Sequence, residues 1–382
     1  MRYSSKVYKN FNTRVEFSNF EVNDQMVTEQ MCMIHSVLPS SFFEIQLNSI
    51  VDSYRWVKDN EVSGRPIFIR IFISDSANQE ALVRDAFKSE IVPISIIEQP
   101  PLDGSKIAMW VYFQSNIESF SLENGLYHLK HGAYTHLWSA GASDDKSVSS
   151  NEQTINILSE YSDNIKKEEA TLLDHTIRTW FFVQNVDVNY AGVVKGRNFV
   201  FDKEGLVPTT NFITSTGIQG RVSDYNKTTV MDAYTIKGVK KEQIQFLYAP
   251  THLNSTYEYG VRFERGTAVH YGDRSHVFLS GTASIDNRGD VLHVGNIEKQ
   301  TYRMLENVEV LLAEAGAGFS DLAQVIVYLR DIFDYKLVND IFNEKLPDVP
   351  KVIVLAPVCR PTWLIEMECI ALKEGRSEYA NY

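Results

Sequence analysis

The sequence predicts an α+β fold, a mixed sheet with helices packed on one face, and three observations carry it. Short apolar runs rich in β-branched and aromatic residues recur with period-two alternation: PIFIRIFIS (66–74), KIAMWVYF (106–113), HVFLSGTASI (276–285), QVIVYL (324–329), KVIVLAP (351–357) and LIEMECIAL (364–372). Segments of helical periodicity lie between several of them. Toward the C-terminus strand and helix patterns alternate until two strands close the chain.

In chain order, FFEIQL (42–47) reads as a strand and NQEALVRDAFKSEI (78–91) as an amphipathic helix. The small, polar, Ser-rich stretch SAGASDDKSVSSNEQ (139–153) reads as a linker or exposed loop. A helix is expected over 154–171 and a strand at RTWFFVQNV (178–186), followed by a Gly-, Thr- and Asn-rich segment, 189–234, expected to form pocket-shaping loops. Met304, Val308, Leu311, Leu312 and Ala315 recur at helical spacing and end at Gly316, a C′ glycine. Tyr335, Val338, Ile341, Phe342 and Leu346 mark a second helix that stops before Pro347. The length of 382 residues and the loop near 150 predict an N-terminal domain, 1–150, and a C-terminal catalytic domain, 151–382. Their shared strand and helix rhythm suggests divergent duplication, without a clean sequence repeat.

Composition narrows the function classes. A formal charge of −12 repels phosphate backbones, so nucleic acid is not the expected partner. Three cysteines, Cys32, Cys359 and Cys369, are too few for a disulfide framework and fit a reducing cytosol. The first residues, MRYSSKVYKNF, carry no apolar core of a signal peptide, and no apolar run approaches the roughly 20 residues of a membrane helix. The expectation is a cytoplasmic protein with no membrane partner.

In LIEMECIAL, alternation puts Ile365, Met367, Cys369 and Ala371 on one face, and Leu364, Glu366, Glu368 and Ile370 on the other. The apolar face should pack against helices. The second face is either a solvated sheet surface or the wall of a pocket, where burial would make a carboxyl a general acid near neutrality. Just upstream, Arg360 either clamps a substrate carboxylate or pairs with Glu366 or Glu368.

Motifs narrow these alternatives. FLSGTASID, LLAEAGAG, VIVYLRD and IEMECIAL, within residues 259–372, resemble the RidA/YjgF family, small α+β sandwiches that form trimers with clefts between subunits. The imine deaminases of that family carry an arginine on the penultimate strand. Here that strand reads PKVIVLAP, with Lys351 and no arginine.

A longer match, from Glu98 to Leu372, is to the chorismatases, whose single chain resembles a RidA assembly fused into one pseudo-trimeric polypeptide. It is carried by EQPPLDGSK, YTHLW, RTWFF, GRNFVF, PTTNFITSTGIQGR, LYAPTHLNSTYEYGVRFERG, SGTASID, HVGN and CRPTWLIEMECIAL. The resemblance implies a chorismate-cleaving enzyme that releases pyruvate by protonating an enol ether. It places the acid at Glu366, with Glu368 as second choice. Cysteine before Arg-Pro, here Cys359, implies the intramolecular route to 3-hydroxybenzoate, in some members accompanied by 4-hydroxybenzoate. A small residue there goes with hydrolysis to a dihydroxycyclohexadienoate. Substrate clamps are expected at Arg360 and Arg265, then Arg197 and Arg178, with Tyr259 and Thr216 binding oxygen atoms. The chain departs from the family at Thr362, Trp363 and Ser139. The fused trimer implies a monomer, and the reaction needs neither metal nor organic cofactor. The alternatives are a chorismate hydrolase, a RidA-like imine deaminase and a non-catalytic ligand-binding relative.

His128, His131 and His136 lack the spacing and the fourth ligand of a metal site, so they are expected to be structural. STGIQG (215–220) is not a phosphate-binding loop, and no G-x-S-x-G elbow is present.

Overall fold

The computed structural model describes residues 1–22, 27–38 and 41–382. One supersecondary unit occurs three times. Repeat 1 contains β1 (Arg2–Tyr8), β2 (Thr13–Phe20), β3 (Glu29–Ser36), α1 (Phe43–Asn60), β4 (Arg65–Ile73), α2 (Ser76–Ala86), β5 (Ile94–Glu98) and β6 (Ile107–Gln114). Repeat 2 contains β7 (Ser119–Glu123), β8 (Leu126–His131), β9 (Tyr134–Ser143), α3 (Ser150–Lys167), the single turn α4 (Leu172–His175), β10 (Thr176–Val183), α5 (Val186–Lys203), β11 (Thr214–Gln219) and β12 (Thr229–Lys237). Repeat 3 contains β13 (Ile244–Leu247), β14 (Gly266–His270), β15 (Arg274–Thr282), α6 (Ile297–Glu314), β16 (Leu322–Leu329), α7 (Tyr335–Lys345), β17 (Lys351–Leu355) and β18 (Ile365–Glu374).

Each repeat forms a six-stranded sheet with its strands in the order first, second, third, sixth, fourth, fifth. Only the fourth and fifth strands pair in parallel, across the second-helix crossover. The chain is therefore RidA/YjgF-like three times over, a pseudo-trimer in one polypeptide. The expected division at 150/151 falls in the first turn of α3, inside the second repeat. The Ser-rich stretch there is the end of β9 and a capped helix start, with Ser149 Oγ accepting from the Glu152 amide at 3.2 Å. Residues 42–47 are the first turns of α1, because Leu47, Ile50, Val51, Tyr54 and Val57 continue a helical stripe beyond the short alternating run. The segment 189–234, expected to be loops, contains most of α5 and the strands β11 and β12. Gly316 is the C′ residue of α6 with φ +68°, and the Ala317 and Gly316 amides close a Schellman motif onto Leu312 and Ala313.

The faces turned away from the helices meet along a pseudo-threefold axis. Register defines equivalent positions: Arg70 opposite Trp110, Trp180 opposite Asp232, and Ile326 opposite Glu368. At one end of the axis Tyr382 contacts all three repeats. Its hydroxyl accepts from Gln114 Nε2 at 2.5 Å, and its ring lies 4.2 Å from His131 and 4.3 Å from His276, centroid to centroid.

Candidate active site

The same register places Ala108, Val230 and Glu366 at equivalent positions on the sixth strands, opposite Phe72, Phe182 and Tyr328. Only repeat 3 carries an acid there. The neighbouring third strand makes room for it: a Cβ added at Gly281 of β15 would overlap the Glu366 carboxyl. Repeat 1 inverts the pair, with His35 of β3 opposite Ala108 of β6. His35 is paired with Asp103 at 3.0 Å; burial works against its charged form, and Asp103 and Glu16 together outweigh this and raise its pKa.

Glu366 and Glu368 are each 3 % exposed, so this face of β18 is not a solvated sheet surface. Glu366 lies in the wall of a pocket of about 490 Å³, its open mouth included, between repeats 2 and 3. Repeat 2 contributes Tyr190 and Arg197, seven residues apart on one face of α5, and Ser215 and Gly217 of β11. α5 lies close on α3: a Cβ at Gly196 would come 2.5 Å from Asn151 O. A Cβ at Gly217 would meet the Tyr190 ring at 2.7 Å, so glycine there lets the phenol lie flat on β11. Repeat 3 contributes Phe263, Arg265, Gly281, Cys359, Arg360 and Trp363 beside the acid.

Burial first, and then the charge of Glu368, push the Glu366 carboxyl up to about 8, against the pull of Arg178 and Arg265. At neutral pH it is a carboxylic acid. Burial and the adjacent Glu366 push the Cys359 thiol up to about 12, so it is a neutral thiol and not a nucleophile. Burial likewise raises the Tyr190 phenol well above its ordinary range, next to Cys359.

The structure divides the expected clamps. Arg265 and Arg197 are buried in the pocket wall, and Arg360 is exposed at its mouth with its guanidinium 5.3 Å from the Trp363 ring centroid. Arg265 is fixed by hydrogen bonds from Nη2 to the Asn254 carbonyl at 3.1 Å and to Asn254 Oδ1 at 3.2 Å. Arg360, expected either to clamp substrate or to pair with an acid, lies against Trp363, while Glu368 is held elsewhere. Arg178 donates to Glu368 Oε2 at 2.8 Å and to Thr216 Oγ1 at 2.6 Å. Thr216 also accepts from the Gly281 amide at 3.0 Å. Alternation turns Ser215 and Gly217 toward the pocket and Thr216 toward the axis, so Arg178 and Thr216, expected to bind substrate, and Glu368, expected as the second-choice acid, lie outside the pocket lining and support it. Tyr259 ends the turn Thr256–Tyr259, and its side chain lies outside the described residues. Sequence reasoning missed Tyr190, Gly217 and Gly281; the only signal was a tyrosine two turns before Arg197.

His136 Nδ1 is 2.6 Å from the Tyr234 hydroxyl, and its ring stacks on His131 at 4.6 Å. Among the described residues no three His, Cys, Asp or Glu side chains are grouped to hold a metal ion. No helix among them is long and apolar enough to cross a membrane. Lys351, the first residue of β17, donates to the carbonyls of Leu346, Pro347 and Val349 and lines a different cleft, between repeats 1 and 3.

Comparisons with known proteins follow the repeat structure. The Endoribonuclease L-PSP family matches residues 265–373, from β14 to β18. A RutC family protein of Pyrococcus abyssi is 37 % identical over 100 residues, 26 % of this chain and 79 % of that protein. The chain belongs to the RutC family. The 3-aminoacrylate deaminase RutC of Acinetobacter baylyi is 32 % identical over 97 residues, 25 % of this chain and 77 % of that protein. A crystal structure of a chorismatase is similar over 82 % of this chain and 95 % of that one, with a TM-score of 0.65 at 16 % identity. That likeness establishes a chorismatase-like, pseudo-trimeric fold for this RutC family member.

Proposed function

We propose that the chain is a chorismatase, cleaving chorismate to pyruvate and 3-hydroxybenzoate. One observation carries this reading above the others: Glu366 is a buried carboxylic acid in a pocket that also holds Arg197, Arg265 and Arg360. An enol ether is cleaved after protonation at its terminal methylene, which generates an oxocarbenium-like centre. An acid kept protonated by burial at neutral pH meets that need. The dianionic substrate requires at least two cationic clamps, and three arginines are placed to serve.

In this reading Glu366 delivers the proton. Arg265 and Arg197 bind one carboxylate and Arg360 the other. Cys359, a neutral thiol against Tyr190, occupies the space that an attacking water would need. The ring's own hydroxyl then captures the cationic carbon and returns its proton to Glu366. Cleavage of that oxygen's bond to the ring releases it as the ketone oxygen of pyruvate, and transfer of the ring C–H proton to the remaining oxygen leaves aromatic 3-hydroxybenzoate, with no water consumed. The chromatographic products of purified protein and chorismate test this. Pyruvate with 3-hydroxybenzoate is expected. Pyruvate with the dihydroxycyclohexadienoate would remove the role of Cys359, and no pyruvate under any condition would remove the reading.

The RutC kinship keeps an imine deaminase as the competing reading. It is disfavoured because the penultimate-strand position holds Lys351, whose ammonium is tied to backbone carbonyls outside this pocket.

A further inference from the structure

Glu368 lies on the axis, not in the pocket, and every group that holds it comes from another repeat. Trp180 Nε1 of β10 donates to its Oε1 at 2.8 Å and Arg178 Nη2 to its Oε2 at 2.8 Å. Arg70 Nη1 of β4 lies 3.5 Å from its Oε1, and Arg70 Nη2 is itself paired with Asp232 of β12 at 2.9 Å. Arg70 and Asp232 are fully buried. A carboxylate so clamped cannot swing away or change its distance from Glu366, two residues along the same strand face.

We propose that Glu368 is a positioning residue that sets Glu366 as a proton donor, and that Arg70 of repeat 1 with Arg178 and Trp180 of repeat 2 hold it to that task. The chain thus places a fixed negative charge behind its acid, anchored across all three repeats. Repeat 1 contributes nothing to the pocket lining, and in this proposal Arg70 is its link to the acid. The other charged or titratable groups around Glu366 are Arg265 ahead of β14, Tyr190 and Arg197 on α5, Cys359 and Arg360 before β18, and Tyr328 on β16. Arg265 opposes the effect of Glu368, as does Arg178.

The catalytic meaning rests on the chorismatase reading, but the test does not. The titration of the Glu366 side-chain carboxyl is followed by carbon-13 NMR of the ligand-free protein, the resonance being assigned by its loss in Glu366→Gln. In Glu368→Gln the midpoint should fall by more than one pH unit, a tenfold or greater rise in the acid dissociation constant. In Arg178→Gln, where a nearby cation is removed and Glu368 retained, it should rise. Electrostatic control moves the two midpoints in opposite directions, whereas simple loosening lets in water and lowers both. An unchanged midpoint in a folded Glu368→Gln protein, or a lowered or unchanged one in Arg178→Gln, overturns the proposal. If Glu368→Gln does not fold, Glu368→Asp decides: its shorter side chain draws the charge back from Glu366, so the midpoint should fall, and an unchanged midpoint overturns the proposal. Opposite shifts in a protein that leaves chorismate intact would sink the proposed function and leave this inference standing.

Discussion

Glu366 and Glu368 leave the same face of β18 two residues apart into different surroundings: Glu368 is ion-paired with Arg178, and Glu366 is a carboxylic acid in the pocket wall. Burial alone does not separate them, since both are 3 % exposed. What separates them is that Arg178 and Trp180 meet one and a bare glycine, Gly281, meets the other.

Keeping Glu366 protonated costs stability at alkaline pH. Its folded pKa is about 8, and its unfolded value is the ordinary one near ~4.3. Between those limits the native state binds the extra proton, so wild-type stability falls as pH rises through the window. Glu366→Gln removes this dependence. Urea denaturation should show the variant gaining on the wild type from pH 5 to pH 8.5, by on the order of 3 kcal/mol. An equal difference at both ends would contradict the protonated state.

Cys359 should be chemically quiet. With its thiol pushed up to about 12, iodoacetamide at pH 7.5 should alkylate it at least tenfold more slowly than a free thiol. Cys359→Ala should keep turnover within about tenfold and shift the products toward the dihydroxycyclohexadienoate. Loss of all turnover with no change in product ratio would instead assign the thiol a chemical role.

At Gly281 a single methyl group competes for the space of the acid. Gly281→Ala should lower turnover by a hundredfold or more and destabilise the protein by about 1–3 kcal/mol, the usual cost of overpacking. Thermal unfolding and steady-state kinetics check the two effects together. Full activity would mean that Glu366 does not need its present rotamer.

Tyr382 joins the three repeats at the far end of the axis, against Gln114, His131 and His276. Tyr382→Ala should destabilise the protein by about 3–5 kcal/mol, as for other buried aromatics, without moving the pH dependence of turnover. A lowered Tm with an unshifted profile fits this role.

Much of this was legible in local pattern. The alternation of LIEMECIAL gave the shared face of Glu366 and Glu368, and the helical spacing before Gly316 gave α6 with its cap. What was not legible depends on long-range register. Nothing near Glu368 in sequence shows that Arg178, 190 residues away, and Arg70, 298 residues away, close on it. For that reason Arg178 looked like a substrate clamp. Thr216 looked like one too, because the direction of β11 fixes which of Ser215, Thr216 and Gly217 faces the pocket. The strand expected at 42–47 failed because six residues of alternation fit equally the start of a helix. The third repeat unit followed from the resemblance and not from local pattern, because equivalent positions share their pairing and not their residue type, as Ala108, Val230 and Glu366 show.

The most direct test of the central claim is the rate of pyruvate release from chorismate between pH 6 and pH 10, in the wild type and in Glu366→Gln. Glu366 acting as the proton donor predicts a plateau below neutrality, a fall by tenfold per pH unit once the pH passes about 8, and near-abolished release at every pH in the variant. A wild-type rate that stays level to pH 10, or a Glu366→Gln protein that releases pyruvate at the wild-type rate, would contradict it.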